Sequence, residues 1–413
     1  MQVTKLKALD RYRQALAAER KKGIKKTTKY WLETLNLYFL SILTWLKITF
    51  QSSPIRAENV DILLFQHSEK VIRLNRKKAL KAELQKINYS LAEIPFYKGQ
   101  KVLNKGLVKK PSYPVSFKYL YLAAYAEYLV STYNPKLMLN DRNGMLLSPF
   151  LRESLNRRNA KLIQLAHATT VEDNWQFSMN DYDYYFLFGQ SSYEKLKQRN
   201  LIFGDSKVVL SGSHMVDNSY NLKPMKAYNN KLLLLGMGPD REKTKLAQLN
   251  YQILLDWAIQ HKEHKLFIKR HPRSTSTFWD DAAKKYNNID LVSKKSSLAQ
   301  ALETSGIVIS IESNAVLEAS LAKRPILFLN ALDSEDIFSL ESFFGNRVSD
   351  KNSFTKKIAE YSNSYIQFIE KTDDFSSFHL KHGCNGLNIS TKLIHNIISK
   401  QSTINSYPLN SKL

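Results

Sequence analysis

The chain has 413 residues, 43% of them hydrophobic and 24% charged, a composition that excludes a disordered, collagenous or coiled-coil protein and leaves room for two to three domains. Lysine and arginine number 61 against 37 acidic residues, and a formal charge of +24 points to an anionic partner (nucleic acid, a membrane face, an acidic or phosphorylated glycan) unless it is only a solvated face. The single cysteine, Cys384, excludes an intramolecular disulfide and a CxxC-type zinc site.

The charge is concentrated in two places: residues 1–50 hold 11 basic and 3 acidic side chains, and residues 70–110 hold 12 and 2. A polar, helix-forming run over 1–30 carries Lys5, Lys7, Arg11, Arg13, Arg20 and five further lysines. Tyr30 and Trp31 then open a stretch rich in Leu, Ile, Phe, Tyr and Trp, ending at Phe50 and interrupted by Glu33, Asn36 and Lys47. Its apolar part falls short of the roughly 20 residues a bilayer span needs, and no small-residue cleavage site follows. A basic flank beside an aromatic amphipathic helix suits an interfacial anchor on an anionic leaflet; packing on the protein body or a dimer contact are its other uses. Residues 1–54 are thus expected to form a basic, amphipathic membrane-surface extension.

From residue 55 short apolar strands alternate with helical stretches. Val60–Phe65 reads as a strand, 69–87 as a basic helix, 116–132 as a helix and Leu137–Leu139 as a strand ending at Asn140-Asp141. Leu151–Asn159 is helical, and Lys161–Leu165, Tyr184–Phe188 and Val208–Leu210 are strands. This spacing argues for parallel βαβ units over 55–220. A stretch without apolar periodicity, 217–230, marks a boundary. The alternation then restarts over 221–375: strands Lys231–Leu235, Lys265–Lys269, Ile289–Val292, Ile307–Ser310 and Pro325–Leu329, with helices over 241–261, 275–286, 297–304 and 314–323. A helix and tail over 376–413 complete the chain. The fold class expected is α/β, two Rossmann-like domains facing across a cleft, where ligands bind at the carboxyl ends of the strands.

The chemistry-bearing residues cluster at those ends. Phe267–Pro272 delivers Lys269, Arg270 and His271 into a loop stopped by Pro272. Further on, a strand ends at Ser310, a turn carries Glu312, Ser313 and Asn314, and a helix opens near Ala315. Unpaired N–H groups and hydroxyls at a helix start suit a phosphate, and a histidine beside them can donate to that phosphate or protonate a leaving oxygen. Gly236-Met237-Gly238 supplies a flexible turn at another strand end. Most serines before a helix are only N-caps, and most histidines are structural, so the weight lies on the combination.

That combination, an RHP loop followed by the serine-bearing helix start and KRPILFLN, resembles the two-Rossmann GT-B transferases of bacterial surface polysaccharides. Within them it is most similar to the sialyl- and polysialyltransferases with an HP motif, the capsule Kdo transferases and the CDP-glycerol phosphotransferases of teichoic acid synthesis. The resemblance covers about 130–330. It implies a GT-B fold, donor phosphate on His271, a pocket lined by Ser310, Ser313 and Asn314, and Glu318 either reaching the ribose or merely solvated. It further implies transfer, with inversion, of an acidic sugar from a CMP-activated donor, and an acceptor base in the N-terminal half. Asp141 in MLNDRNG is the first candidate for that base. His167 is the second, although the Ala168 that follows departs from the glycine of a QHG-like context; Glu172 and Asp173 are further candidates. No cofactor or metal is expected, because Asp181-Tyr182-Asp183 precedes a strand, and helix dipole and basic side chains can neutralise the leaving phosphate. The expected partners are a nucleotide-sugar donor, an anionic glycan or lipid-linked acceptor held by 70–110, and the inner face of the bacterial inner membrane, from the cytoplasm. Nucleic acid is not expected, since no zinc finger, RRM signature or basic-region heptad is present. A CDP-glycerol- or CDP-ribitol-type phosphotransferase, a UDP-sugar transferase or epimerase of the same fold, and a non-catalytic nucleic-acid-binding or polysaccharide-assembly protein are the rival readings.

Overall fold

A computed structural model describes residues 3–19, 25–50, 58–171, 175–199, 201–401 and 403–410. The chain forms two α/β units: residues 1–215 with 387–413, and residues 216–386.

The first unit holds a seven-stranded sheet of β1 (Ile62–Gln66), β2 (Leu91–Pro95), β3 (Leu137–Asn140), β4 (Lys161–Leu165), β5 (Tyr184–Leu187), β6 (Asp205–Leu210) and the C-terminal β12 (Tyr407–Asn410). The strand order is β12-β6-β5-β4-β3-β1-β2. Every pairing is parallel except that of β12, which runs antiparallel to β6. The central strands are buried along their length, as strands covered on both faces must be, and so read as continuous apolar runs. The chain leaves β1 for β2 on one side and returns to β3 on the other, so a switch point lies between the carboxyl ends of β1 and β3.

The N-terminal segment belongs to this unit. Helix α1 (Val3–Glu19) and helix α2 (Lys25–Phe50) place Leu9, Tyr12, Leu16, Leu37 and Leu40 in the same core as Phe65, Met138 and Phe150. Arg13, almost fully buried, ties the pair together, donating to Thr34 Oγ1 at 2.9 Å and lying 3.5 Å from Asp10. The opposite face of α2 exposes Trp31, Leu35, Tyr38, Phe39, Ile42 and Trp45, with Trp31 at 58% and Phe39 at 56%. No helix among the described residues is long and apolar enough to cross a membrane.

The second unit holds a five-stranded parallel sheet of β7 (Lys231–Leu235), β8 (Lys265–Lys269), β9 (Ile289–Leu291), β10 (Ile307–Ser310) and β11 (Ile326–Phe328), in the order β11-β10-β7-β8-β9. Its switch point lies between β7 and β10. Helices Leu340–Phe344, Lys351–Asn363 and Tyr365–His379 complete it.

Three readings change. The basic stretch 69–87 is two helices, Glu69–Arg73 and Lys78–Lys86, because Asn75 takes a left-handed φ of 47° between them. The C-terminal segment divides: residues up to 386 stay with the second unit, while helix Gly386–Ser399 and β12 pack on the first. The helix expected over 314–323 is the six-residue Val316–Leu321.

Candidate functional site

At the switch point of the second sheet, β7 ends in Gly236. A Cβ there would lie 2.7 Å from the His271 nitrogen, 2.8 Å from the Lys269 oxygen and 2.9 Å from the Arg270 Cα, so only glycine allows the ends of β7 and β8 to meet. Gly236 N–H donates to the Lys269 carbonyl at 2.8 Å, fixing that approach. Gly238 faces open space, and its carbonyl accepts from Arg241 and Glu242 N–H, which turns the chain back.

His271 follows β8. Its Nδ1 accepts from the Arg273 backbone N–H at 3.1 Å, so in the neutral ring the proton resides on Nε2. Partial burial, and then the Arg273 charge, hold the imidazole below its ordinary pKa, while Glu242 opposes them. Pro272 is exposed and ends the strand. Glu242 is nearly buried; one oxygen accepts from Ser274 Oγ and the other has no partner. Nothing in the sequence singled it out, because it lies in a polar loop without periodicity.

The neighbours of His271 in sequence are committed elsewhere. Lys269 Nζ donates to the carbonyls of Ser293 and Ser296, and Arg270 pairs with Asp280 at 2.6 Å. At β10, Ser310 Oγ is buried and accepts from Ser313 N–H at 3.4 Å, and Ser313 Oγ accepts from Ala315 N–H at 3.4 Å. Glu312 pairs with Arg241 at 2.9 Å, joining this turn to the loop after Gly238, and Asn314 is exposed. With only six residues behind it, this turn offers hydroxyls and N–H groups rather than a long helix dipole. Glu318 is half-buried, not solvated, and burial pushes its carboxyl up to about 7.

At the switch point of the first sheet, Asp141 follows β3 and is largely buried. Its Oδ2 pairs with Lys77 Nζ at 2.5 Å, and its Oδ1 is buried without a partner. Lys77 also donates to Gln66 Oε1 at 3.0 Å; Gln66 donates to Glu93 at 2.6 Å, and Glu93 accepts from Lys81 at 2.7 Å. The ion pair at 70–110 that orients Asp141 is thus one end of a relay across β1 and β2.

Three histidines surround that pair. His67, exposed after β1, is held below its ordinary pKa by burial of part of its ring and by Arg142, with Asp141 acting against them. His167, exposed after β4, lies in the same field. His214 is buried with Nε2 unpartnered, and burial, then Lys77 and His167, push it down to about 3. The structure therefore gathers Asp141 and His167 at one strand-end cluster, with Lys77, His67 and His214 added. Glu172 and Asp173 lie outside the described residues. Asp181 and Asp183 hold Arg152 and cap β4, with the Asp183 carboxylate accepting from Leu162 N–H at 2.8 Å. Among the described residues no group of three His, Cys, Asp or Glu is placed to hold a metal ion.

No protein-family model matches the sequence, and no curated protein does either. Solved structures do. A Listeria monocytogenes protein assigned as a UDP-N-acetylglucosamine 2-epimerase superposes with a TM-score of 0.54 at 11% identity, over 84% of this chain and 99% of its own. S. aureus MnaA, solved with UDP, gives 0.53 at 10% identity over 84% and 99%. The wall teichoic acid polymerase TagF gives 0.50 at 13% identity over 97% and 99%. Identities this low speak to the fold, and the fold is the GT-B-like pairing of two Rossmann-like units.

Proposed function

We infer that this protein is a nucleotide-sugar-dependent glycosyltransferase of bacterial cell-surface glycan assembly, using a nucleoside-diphosphate donor. The observation that carries this reading is His271: a neutral imidazole with its proton on Nε2, at strand ends whose close approach Gly236 makes possible. In this reading the donor pyrophosphate lies against the Gly236–Gly238 turn, the Ser310–Ala315 turn and His271. The acceptor hydroxyl attacks the anomeric carbon, its proton passes to a base supplied by the first unit, for which the Asp141 carboxylate is the candidate, and the bond from that carbon to the phosphate oxygen breaks. The nucleoside diphosphate leaves with the electron pair, and His271 Nε2–H donates to its phosphate oxygen. Lys77 orients the Asp141 carboxylate through their ion pair, and no metal is invoked.

The UDP of the MnaA structure supports a UDP donor, and the resemblance to CDP-glycerol phosphotransferases keeps CDP beside it, over the CMP-activated acidic sugar that the sequence resemblance also implies. A thermal-shift panel of UDP, CDP, CMP and GDP tests the choice, because a ligand that binds only the folded state raises its stability by mass action. Stabilisation by UDP or CDP is expected. Selective stabilisation by CMP would return the donor to the acidic-sugar class, and no response to any nucleotide would end the reading. The Listeria neighbour assigned as an epimerase favours one rival, in which a UDP-sugar is converted without acceptor; epimer formation in the absence of acceptor would establish it.

The same reading puts the enzyme at a membrane surface. The exposed face of α2 presents tryptophan, tyrosine and aliphatic side chains on one arc, the composition that settles at the headgroup boundary. Vesicles containing phosphatidylglycerol should bind the full chain, and salt should weaken that binding as the screening length shrinks. Equal binding to neutral and anionic vesicles would refute the electrostatic part.

A further inference from the structure

Beside the buried face of α2 lies a cavity of about 370 Å³, within the range of about 300–1,000 Å³ typical of small-ligand pockets. Leu37 and Leu40 of α2, Leu122 and Tyr125 of helix Leu120–Tyr133, and Met145 and Leu147 of the loop after β3 make its walls largely apolar. Three cations join them: Arg13, which is held by Thr34 and Asp10, and two that meet over one ring, the Arg142 guanidinium 4.9 Å from the centroid of Phe96 and Lys98 Nζ 5.9 Å from it. Among the described residues Arg142 has no carboxylate within ion-pair distance, although it is half-buried.

Other features fix the setting of this cavity. Arg142 directly follows Asp141, so the charged part adjoins the proposed base. The loop that carries it is held tightly: Gly144 has a φ of +63°, and a Cβ there would lie 2.6 Å from the Gln176 carbonyl oxygen. Glu33 and Asn36, which also line the cavity, come next around α2 after its exposed apolar arc.

We propose that this groove holds the hydrocarbon chain of a phosphate-headed lipid, with the head on Arg142 and Lys98, so that the acceptor is a lipid-linked glycan. This rests on the transferase reading and names its acceptor class. The occupant is set by the paired chemistry, apolar walls beside the Arg142 guanidinium, which has no carboxylate partner among the described residues: a neutral lipid supplies no charge for it, and a free anion leaves the walls unused.

Calorimetric titration of the full-length protein tests it with butyl phosphate, octyl phosphate, octyl glucoside and inorganic phosphate, each below its micelle concentration. Octyl phosphate should bind at least tenfold more tightly than butyl phosphate, since each added methylene buries apolar surface. It should also outbind octyl glucoside and inorganic phosphate. Arg142→Gln, on a surface loop and checked by an unchanged melt, should weaken octyl phosphate about tenfold or more and leave octyl glucoside as it was. Equal affinity for octyl phosphate and inorganic phosphate would overturn the proposal. So would equal affinity for octyl phosphate and octyl glucoside, or an Arg142→Gln protein that binds octyl phosphate normally; that last result would move the amphiphile to the outer face of α2. No nucleotide is needed, so a chain that binds octyl phosphate but transfers no sugar would lose the transferase reading while keeping the lipid site.

Discussion

At the switch point of the first sheet, charged side chains meet at the strand ends: Asp141 on Lys77, Lys77 on Gln66, Gln66 on Glu93, with three histidines around them. At that of the second sheet the same position is made of backbone: two glycines, a turn of serines and one imidazole whose remaining bonds are to main chain. The difference matches two chemical tasks. Moving a proton needs a titrating group whose ionisation and orientation are set by neighbours. Holding a phosphate needs close main-chain approach and N–H donors, and there a side chain is often an obstruction. The paired cations Lys269 and Arg270, the most eye-catching residues of the second site in sequence, are used to brace its loops.

Removing the titrating group should break the contrast most strongly. Asp141→Asn keeps size and one acceptor oxygen, but the amide does not take a proton. Turnover should fall by about 10²–10⁴-fold, the usual contribution of a general base, while nucleotide affinity in a binding titration stays unchanged. Because Lys77 loses its counter-ion, melting temperature must be measured beside the rate. Near-normal transfer by a folded Asp141→Asn protein would hand the base to His167 or Glu172.

His271→Ala should act on both quantities. Loss of one donor to the leaving phosphate should cost about 10²-fold or more in turnover. Nucleotide binding should weaken too, because the same phosphate is touched before reaction. Intact binding and rate would remove His271 from the site, and with it the main support for the donor assignment.

Gly236→Ala sharpens the claim that the second site is built of backbone. Its added methyl would meet three main-chain positions at 2.7–2.9 Å, none of which can rotate away. A loss of about 1–3 kcal/mol in chemical denaturation is expected, the cost of overpacking. Gly238→Ala, facing open space, should stay within about 0.5 kcal/mol. Equal effects of the two would mean that the close approach of β7 and β8 is not what positions His271.

The sequence was most legible where burial is complete. The strands Lys161–Leu165, Lys231–Leu235 and Ile307–Ser310 are mostly apolar runs flanked by turns, and their bounds follow from composition. The edge strands of the first sheet were not legible, whereas those of the second, β9 and β11, were read close to their bounds. β2 is half-buried and contains Glu93 and Pro95, β12 contains Pro408, and an edge tolerates both residue types. The α2 helix was recognised as amphipathic, but its burial against the first unit depends on partners more than 60 residues away, which no local pattern encodes. In the candidate site, Asp141, His167 and His271 were found because they follow strands. Lys77, Arg142, His214 and Glu242 were missed because their roles come from tertiary proximity alone.

The smallest effect concerns Glu318, where the second unit departs from its own pattern by burying a carboxyl beside the serine turn. Burial lifts it from an ordinary 4.5 to about 7, against the opposing bond from its own backbone N–H. Between those values the folded chain holds this proton more firmly than the unfolded chain does. The group therefore costs stability progressively as pH rises from about 4.5 to about 7, and the full cost applies above that. Glu318→Gln keeps the shape and removes the charge. Its melting temperature should match the wild type near the acid end and exceed it at about pH 8, where the wild-type carboxyl must ionise in its buried setting. The same variant tests the ribose contact implied by the sequence. If the carboxylate accepts from a ribose hydroxyl, UDP affinity above pH 7 should fall even as stability rises. If stability rises and affinity holds, Glu318 is a buried acid of the helix and the ribose lies elsewhere.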